Sequence, residues 1–420
     1  MKTATGTILI RNGQVFDGTG AAPIPNGAVV IEEGKITFVG REANAPLLSR
    51  EATTIDACGG TILPGLVEAH FHPTYFNVAA LEDLDIKYPV EYVTLLAAAN
   101  AKLALECGYT AARSGGSLFN IDVWLKKAIE NDLCLGPRLA ASGREICGAA
   151  GLMDWNPDYR KIGMEGLILL INGPDEARSA VRKLVKDGVE WIKTYPTGDA
   201  AAPDTNDHHT LCMTFEEMHA VVSTAHNHGK KVTGHCRATE GIKNALRAGY
   251  DAIEHGTFMD DEAMELLLQR DVPCVPALYF ELMSIQRGPE FGLPQAVIDG
   301  HQETLDGGAE SARRIIQAGG RLGMGGDYGF AWNPHGDYAK ELSFFVDFVG
   351  LDPLTVLKCA TKTGAEILGR ESEIGTLEPG KLADILVVDA DVVKNISALQ
   401  DRSKFIAVMQ SGVIKAGRLA

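Results

Sequence analysis

The sequence predicts an α/β protein in which a (β/α)8 barrel of the TIM type carries a small β-sandwich built from both chain ends. The chain has 420 residues, which suits one large domain and one smaller domain. Short β-rich runs occupy both ends of the chain, and the middle alternates between β-rich runs and amphipathic helical runs. This alternation is the pattern of parallel strands joined by helices.

We assign residues 1–62 and 368–420 to the β-sandwich. The first part contains "TILIRNGQVFDG", "GAVVIEEGKITFVG" and "ATTIDACGGTILPG", which are short β-rich runs separated by Gly, Asn and Asp. Within them, "EEGK" predicts a hairpin turn. The C-terminal runs "GTLEPGKLADILVVDAD" and "FIAVMQSGVIKAGRLA" have the same character. We therefore expect the two ends to pair with each other.

We assign residues 63–367 to the barrel. Helical runs such as "DEARSAVRKLVKDG", "TFEEMHAVVSTAHNHG", "ATEGIKNALRAG" and "DDEAMELLLQRD" separate the predicted strands, and several of them end in Gly. The chemistry of such barrels lies at the C-terminal ends of the strands, so the residues at those ends matter most. The predicted strands end in "EAHFH", "YTAARSGG", "RLAASGR", "WIKTYPTG", "KVTGHCRA", "AIEHGTF", "VPCVPAL" and "RLGMGGDYG".

The stretch "GLVEAHFHPTY" places His70 and His72 at the end of the first barrel strand. In a strand, residues i and i+2 point to the same face, so both imidazoles can reach one metal ion. Alone, this pair is weak evidence for a metal site and better suits two surface or core histidines. Further candidate ligands end four other strands, and such a clustered set predicts a metal centre. They are Lys193, His235, His255 and Asp327.

The composition argues against nucleic-acid and membrane partners. The net charge is −16, from 39 Lys and Arg against 55 Asp and Glu, without a basic cluster, so we expect no nucleic-acid partner. No apolar run approaches the roughly 20 residues that span a bilayer, and the N-terminus lacks a signal-peptide pattern. The eight cysteines form no C-x-x-C pair. We therefore expect a cytoplasmic protein that acts on a small molecule and has no membrane partner.

The motifs "HFH", "WIKTY", "TGHC", "IEHG" and "GGDYG", in this order, resemble those of the amidohydrolase superfamily of metal-dependent hydrolases. "AIEHGTFMDDE" and "PHGDYAKEL" are most similar to the branch of prolidase-like dipeptidases and imidazolonepropionase-like proteins. The resemblance covers the whole chain. Because such relatives are often oligomers, it also implies a homo-oligomer.

The resemblance implies two divalent metal ions, most often zinc. His70, His72 and Asp327 would hold one ion, and His235 and His255 would hold the other. Lys193 would bridge the two after reacting with carbon dioxide to form a carbamate. A hydroxide shared by the ions would attack the carbonyl carbon, and catalytic Asp327 would pass its proton to the leaving nitrogen.

Three further residues are candidates for substrate binding. Arg237, in "GHCRATEG", would pair with a substrate carboxylate or with a local acid such as Glu240. Tyr195 would face the same side of its strand as Lys193, and His335 would line the pocket from the loop after the eighth strand. The aromatic residues Trp155, Tyr279, Phe330 and Trp332 would form an apolar wall or simply pack in the core. We interpret His208, His209, His219, His226 and His228 as surface residues.

These features predict a binuclear amidohydrolase that cleaves a carbonyl C–N bond in a small, partly apolar amide, N-acyl amino acid, urea or carbamate. The alternative on the same site is an Xaa-Pro or related dipeptidase. However, the loop "REICGAAGLMDWNPDY" lacks the histidine that peptidase members of this branch often carry. A deaminase is disfavoured by Lys193, which one-metal deaminases usually lack. A non-catalytic barrel is disfavoured because every ligand position is filled.

Overall fold

The structure, a computed structural model, describes residues 1–84, 87–155, 159, 164–202, 204 and 206–420. Strands and helices alternate through its middle, and strands dominate both ends. The strands are β1 Thr7–Val15, β2 Ile24–Glu32, β3 Lys35–Arg41, β4 Thr53–Asp56, β5 Thr61–Pro64, β6 Leu66–Phe71, β7 Tyr109–Ser114, β8 Arg138–Ala140, β9 Glu145–Gly148, β10 Ile168–Ile171, β11 Trp191–Thr194, β12 Lys231–Cys236, β13 Ala252–His255, β14 Cys274–Val275, β15 Ile385–Val388, β16 Phe405–Gln410 and β17 Val413–Ala416.

The longer helices follow the parallel strands, and several begin with a side-chain cap. At the start of α5, Thr214 and Glu217 form a reciprocal capping box. The α-helices are α1 Val90–Glu106, α2 Ile121–Glu130, α3 Met164–Leu167, α4 Pro174–Asp187, α5 Phe215–Asn227, α6 Thr239–Ala248, α7 Asp261–Gln269, α8 Leu278–Arg287, α9 Gln295–Gln317, α10 Tyr338–Phe344, α11 Pro353–Lys358 and α12 Gly364–Leu368. Among the described residues, none of the helices has both the length and the apolar character needed to cross a membrane.

Strands from the two chain ends pair in one sheet of eight strands, in the order β17-β16-β15-β5-β1-β2-β3, with β4 paired to β1. β15 runs antiparallel to β5, so that Ile385 lies opposite Pro64 and Val388 opposite Thr61. The expected pairing of the two ends is therefore present. Its apolar face buries β-branched side chains from both ends, including Ile10, Val29, Ile62, Ile385 and Val387.

The predicted hairpin turn at "EEGK" joins β2 to β3, which pair antiparallel. Glu33 and Gly34 both have left-handed backbone conformations, with φ of 47° and 75°. This is the conformation that a two-residue hairpin turn requires. A Cβ at Gly34 would lie 2.2 Å from Thr3 Cγ2, so glycine is also required by space.

The middle of the chain contains two parallel sheets. One has the order β6-β7-β8, and the other has the order β10-β9-β11-β12-β13-β14. At one end, Trp191 N donates to Ala141 O at 3.1 Å, which links β11 to the residue that follows β8. At the other end, a segment outside both sheets lies between them: Gly323 N donates to Cys274 O of β14, and Ala69 N of β6 donates to Met324 O, both at 2.8 Å. Strands β6, β11, β12 and β13 thus place their C-terminal ends around one region.

The predicted eighth strand differs from the expectation. In "RLGMGGDYG", which is described throughout, Leu322 makes an isolated parallel bridge to Cys274, and no regular strand forms. Four of these residues are glycines, which offer no side chain to pack within a strand. The segment nevertheless runs between β14 and β6 and brings Asp327 to the site.

Candidate metal centre

His70 and His72 meet at the end of β6. Their Nε2 atoms lie 3.2 Å apart, and both side chains are buried. Two ligands of one tetrahedral zinc ion, each at about 2.0–2.1 Å, would be separated by roughly 3.3 Å. The spacing of the two nitrogens therefore suits a shared metal ion.

The backbone of the loop after β7 orients His72. Its Nδ1 lies 3.3 Å from the carbonyl oxygen of Gly116. Donation from Nδ1–H to this oxygen leaves Nε2 as the ligand atom. The ring of Tyr75 stacks on the imidazole, with centroids 4.0 Å apart and planes at 8°. These contacts hold His72 in one tautomer and one orientation.

Asp327 completes this group. Its Oδ1 lies 3.4 Å from His72 Nε2 and 4.0 Å from His70 Nε2, and has no hydrogen-bond partner among the described residues. Its backbone is left-handed, with φ of 51°, a strained conformation that tends to occur at functional sites. Burial raises the pKa of the Asp327 carboxyl to about 7, against the opposing effect of Lys193.

His235 and His255 lie beside this group, with ring centroids 4.3 Å apart. His235 Nε2 lies 3.2 Å from Gly198 O and 3.3 Å from Asp199 Oδ2, which leaves Nδ1 for a ligand. Neither ring nitrogen of His255 has a hydrogen-bond partner among the residues described. Burial lowers the pKa values of His70, His72 and His255 well below the usual range. The neutral imidazole that this favours is the form that binds metals.

Lys193 lies between these histidines and a buried acid that the sequence analysis missed. Its Nζ donates a hydrogen bond to Glu254 Oε2, and Arg113 Nη2 donates to the other oxygen at 2.5 Å. Burial acts to raise the pKa of Glu254, but Lys193, His70 and Arg113 hold it well below its usual range. The sequence feature that could have indicated Glu254 is its position as an acidic residue inside the apolar strand run "DAIEHGT".

A second missed acid, Glu145 of β9, joins two tyrosines. It accepts hydrogen bonds from Tyr195 OH and, at 3.3 Å, from Tyr75 OH. Burial raises the pKa of Glu145 to about 8, although Lys193 opposes the shift. The network holds Tyr195 on the cavity side of its strand, beside Lys193.

A cavity of about 330 Å³ opens onto these groups. All six predicted ligands line it, and buried ring nitrogens and a carboxylate oxygen without protein partners face one another there. Three neutral imidazoles with a carboxylate suit a divalent transition metal, so the residues present fit a metal centre. Most of the remaining wall is apolar and comprises Val78, Leu84, Leu152, Met153, Phe280, Leu293, Val297, Phe330 and Trp332.

Two of the predicted substrate residues lie elsewhere. Arg237 is buried, donates from Nε to Asp199 at 2.6 Å, and pairs through Nη2 with Glu281 at 2.8 Å. His335 Nδ1 lies 2.9 Å from Tyr338 OH and its Nε2 lies 3.0 Å from Tyr75 O. Neither residue lines the cavity. Of the two roles expected for Arg237, the structure shows pairing with acidic residues of the protein, and these are Asp199 and Glu281 instead of Glu240.

The expectations for the aromatic wall and for the surface histidines are met only in part. Phe330 and Trp332 line the cavity as wall residues, whereas Trp155 and Tyr279 do not. Of the histidines interpreted as surface residues, His208 is instead buried, with Nε2 3.2 Å from Glu303 Oε2, because its loop packs against α9. The other four are exposed: His209, His219, His226 and His228.

Comparisons with known proteins identify the family of the chain. A family model described as the amidohydrolase family matches residues 61–417. Ochratoxinase of Aspergillus niger is 26% identical over 443 aligned positions, which cover 97% of this chain and 86% of that enzyme. Its crystal structure has a TM-score of 0.84 to this one, at 25% identity, with 98% and 96% of the two chains covered.

Two other relatives belong to the branch that the motifs resemble. The crystal structure of an Xaa-Pro dipeptidase is 28% identical with a TM-score of 0.86, and covers 97% of this chain and 99% of its own. Imidazolonepropionase of a Geobacillus species is 24% identical over 426 positions, covering 94% of this chain and 92% of that enzyme. The chain therefore belongs to the amidohydrolase family, in its prolidase-like and imidazolonepropionase-like branch, and is a hydrolase that acts on carbon–nitrogen bonds.

Proposed function

We propose that the protein is a binuclear metal-dependent amidohydrolase that cleaves the carbonyl C–N bond of a small, bulky and partly apolar substrate, such as an N-acyl amino acid, amide, urea or carbamate. One observation carries the proposal: the six candidate ligands line the same cavity as a wall of aromatic and aliphatic side chains. The ligands supply the chemistry, and the wall selects an apolar substituent by the surface it buries.

The metal-binding part of the proposal assigns each ligand. His70, His72 and Asp327 would hold one ion, His235 and His255 would hold the other, and Lys193 would be a further ligand as a carbamate. Two such ions, which we take to be zinc, would supply polarisation of the substrate carbonyl and a lower pKa of water. Lys193 is buried and lines the cavity together with the four histidines and Asp327, which places it where a bridging ligand is needed.

Asp327 is the proposed proton carrier. It lines the cavity, its Oδ1 lies 3.4 Å from His72 Nε2, and this oxygen has no hydrogen-bond partner among the described residues. It would take a proton from the attacking water and deliver it to the leaving nitrogen. Amines are poor leaving groups without this proton.

The test is an activity panel on protein loaded with zinc and bicarbonate. The panel contains Xaa-Pro and Xaa-Arg dipeptides, N-acyl aromatic amino acids, and aryl ureas, carbamates and anilides that lack a carboxylate. We expect turnover of the bulky acylated compounds, absent in Lys193→Ala and in metal-free protein. A loaded wild-type protein that hydrolyses none of the classes would contradict the proposal.

The second candidate is an Xaa-Pro or related dipeptidase. It is favoured by the likeness to an Xaa-Pro dipeptidase at a TM-score of 0.86. It is disfavoured by Leu152 and Met153, which line the cavity from the loop after the third barrel strand and offer no polar group to a peptide terminus. Exclusive turnover of the dipeptides in the same panel would select this candidate.

We also propose that the parallel strands close into a (β/α)8 barrel, from residue 63 to 367, with a β-sandwich built from residues 1–62 and 368–420. The bond from Trp191 N to Ala141 O supports closure on one side. On the other side, the segment with Gly323 and Met324 bonds to Cys274 of β14 and to Ala69 of β6. The shared sheet of β1–β5 and β15–β17 supports the pairing of the chain ends.

A further inference from the structure

A second group of metal-binding side chains lies on the loop between β11 and α5 and on α9. His208, His209 and Glu303 each offer one ligand atom, and these atoms all lie within 4.8 Å of one another. None of the three lines the cavity that contains the six predicted ligands. His208 is buried, whereas His209 and Glu303 are exposed. The group is therefore open to solvent on one side.

The contact between His208 and Glu303 has the spacing of two ligands of one ion. His208 Nε2 lies 3.2 Å from Glu303 Oε2, and two ligands of a tetrahedral zinc ion would be separated by roughly 3.4 Å. Nδ1 of His208 is buried and has no partner among the described residues. The protein therefore does not fix the ring hydrogen on Nε2, and this nitrogen can present its lone pair to a metal. Burial and the neighbouring His209 lower the pKa of His208, which favours the neutral ring.

The second imidazole, which a simple hydrogen bond from His208 to Glu303 does not require, is held beside the first. The ring centroids of His208 and His209 lie 4.4 Å apart. Both rings pack on Phe258, with centroid distances of 5.4 Å and 4.8 Å. Asp207 Oδ1 accepts a hydrogen bond from His209 N at 3.0 Å and so fixes the backbone that carries the rings. The two imidazoles are thus positioned before any ion binds.

Two glycines of α9 bring the carboxylate close to these rings. Gly300 precedes Glu303 by three residues and Gly307 follows it by four, so all three share one face of the helix. A Cβ at Gly307 would lie 2.8 Å from Phe258 Cε1, and one at Gly300 would touch His208 Cε1 at 3.5 Å. Glycine inside a helix costs stability relative to alanine. Here it lets the loop and Phe258 approach the helix on both sides of Glu303.

We propose that His208, His209 and Glu303 form a further metal site, separate from the six predicted ligands, that binds one divalent transition metal ion such as zinc. Two imidazoles and one carboxylate are a ligand set that zinc uses when water takes the fourth position. The exposed side of the group supplies that position. This inference goes beyond the proposed function and does not depend on the reaction in the cavity.

The position of the site gives the ion a role. The loop that carries the two histidines also carries Asp199 and Ala201, which line the cavity, and α9 contributes Val297 and His301 to the same lining. An ion held by both elements fastens two walls of the cavity to each other. Because the loop and the helix meet only in the folded chain, the ion also stabilises the native state.

The first test counts zinc in folded, full-length protein after dialysis against graded concentrations of free zinc. The variants are His209→Gln and Glu303→Gln, both at exposed positions, and the matched control is His219→Gln on α5. We expect wild type and the control to bind one more equivalent per chain than the two variants, or to bind it at least about tenfold more tightly. Circular dichroism checks that all four proteins are folded.

A comparison in the His72→Ala background separates this inference from the proposed function. His72 belongs to the cavity, so the equivalent that depends on His209 should remain when His72 is replaced and disappear in His72→Ala/His209→Gln. If the cavity binds no metal at all, wild type should still bind this single equivalent.

Thermal unfolding tests the link between the loop and α9. Added zinc should raise the Tm of His72→Ala, and this rise should be lost in His72→Ala/His209→Gln, because only an ion bound to the native arrangement stabilises it. Equal zinc contents in wild type, His209→Gln and Glu303→Gln would overturn the inference. So would an equal loss of zinc in His219→Gln, since zinc would then bind exposed histidines without a site.

Discussion

Several of the predicted metal ligands have a buried polar atom without a hydrogen-bond partner among the described residues, such as Asp327 Oδ1 and both ring nitrogens of His255. His72 is held through Nδ1 by Gly116 O, and His235 through Nε2 by Asp199 and Gly198. Leaving buried polar atoms without partners costs stability, and natural proteins accept this cost where the atoms are used. The residues therefore point to ligand binding and not to core packing.

Asp327→Asn keeps the size of the side chain but removes its negative charge and its ability to carry a proton. We expect kcat on the best panel substrate to fall at least about 1,000-fold, since general acid–base groups contribute up to roughly 10⁴. Asp337→Asn, the same change at a residue outside the cavity lining, is the control and should keep its kcat. Retention of most of the turnover by Asp327→Asn would remove Asp327 from the catalytic role.

His72→Ala removes a proposed metal ligand, the imidazole whose Nδ1 lies 3.3 Å from Gly116 O. We expect the zinc content after dialysis against buffered zinc to fall by at least one equivalent per chain, with turnover lost in parallel. The measurement is elemental analysis of the folded protein. His219→Ala should retain the wild-type zinc content. Equal zinc contents in the two variants would mean that His72 is a structural histidine.

At the level of elements, the loop after β7 contacts both a proposed metal ligand, His72, and the buried acid Glu145. Gly116 has φ of 137°, and a Cβ there would lie 1.7 Å from Glu145 Oε1. Its carbonyl oxygen also accepts from His72 Nδ1. Only glycine at position 116 lets the loop lie against Glu145 while its carbonyl oxygen accepts from His72.

Gly116→Ala should therefore lower the free energy of unfolding by about 3 kcal/mol or more, through overpacking and backbone strain. It should also weaken zinc binding by about 10- to 100-fold, because His72 loses its orientation. Urea unfolding and competition with a zinc chelator measure the two effects.

Gly173→Ala provides the matched control. Gly173 also has a positive φ, 103°, but a Cβ there would meet nothing within 4 Å. This variant should cost only the strain of about 1–2 kcal/mol and keep its zinc affinity. Equal effects of the two substitutions would show that the clash with Glu145 is relieved by movement.

At the level of the whole molecule, a buried ion pair joins the parallel strands to the sheet of the chain ends. Arg138 of β8 donates from Nε and Nη2 to both oxygens of Asp384, at 2.6 Å and 3.0 Å, and Nη2 also donates to Ser411 Oγ at 2.7 Å. Both residues of the pair are buried. The contact couples the end sheet to the part of the chain that carries the site.

Arg138→Leu should lower the free energy of unfolding by about 3–5 kcal/mol, because it leaves the Asp384 carboxylate buried without its cation. The double variant Arg138→Leu/Asp384→Asn should recover more than half of this loss, since the stranded charge is gone. Arg418→Leu, which breaks an exposed pair with Asp389, should cost less than about 1 kcal/mol. Denaturant unfolding measures all three, and a double variant no better than the single one would contradict the account.

The sequence by itself determined the alternation of strands and helices, the pairing of the chain ends and the candidates for metal binding. These features depend on local periodicity and on the rule that strand ends of an α/β fold carry the chemistry. The helices α4 to α7 follow their predicted runs for the same reason. The pattern of apolar residues predicted a strand at "RLGMGGDYG", but it did not account for the glycines there, which disfavour a regular strand.

The tertiary structure alone decided which charged groups meet. Glu254 pairs with Arg113 across 141 residues of chain, and Arg237 turns to Asp199 and Glu281 and away from the cavity. The tertiary structure also placed His301 on the cavity wall, a position that its neighbours in the sequence do not indicate. Local spacing cannot report such contacts, because a buried charge selects its partner by distance and by the desolvation cost of remaining unpaired, and both arise only after the chain has packed.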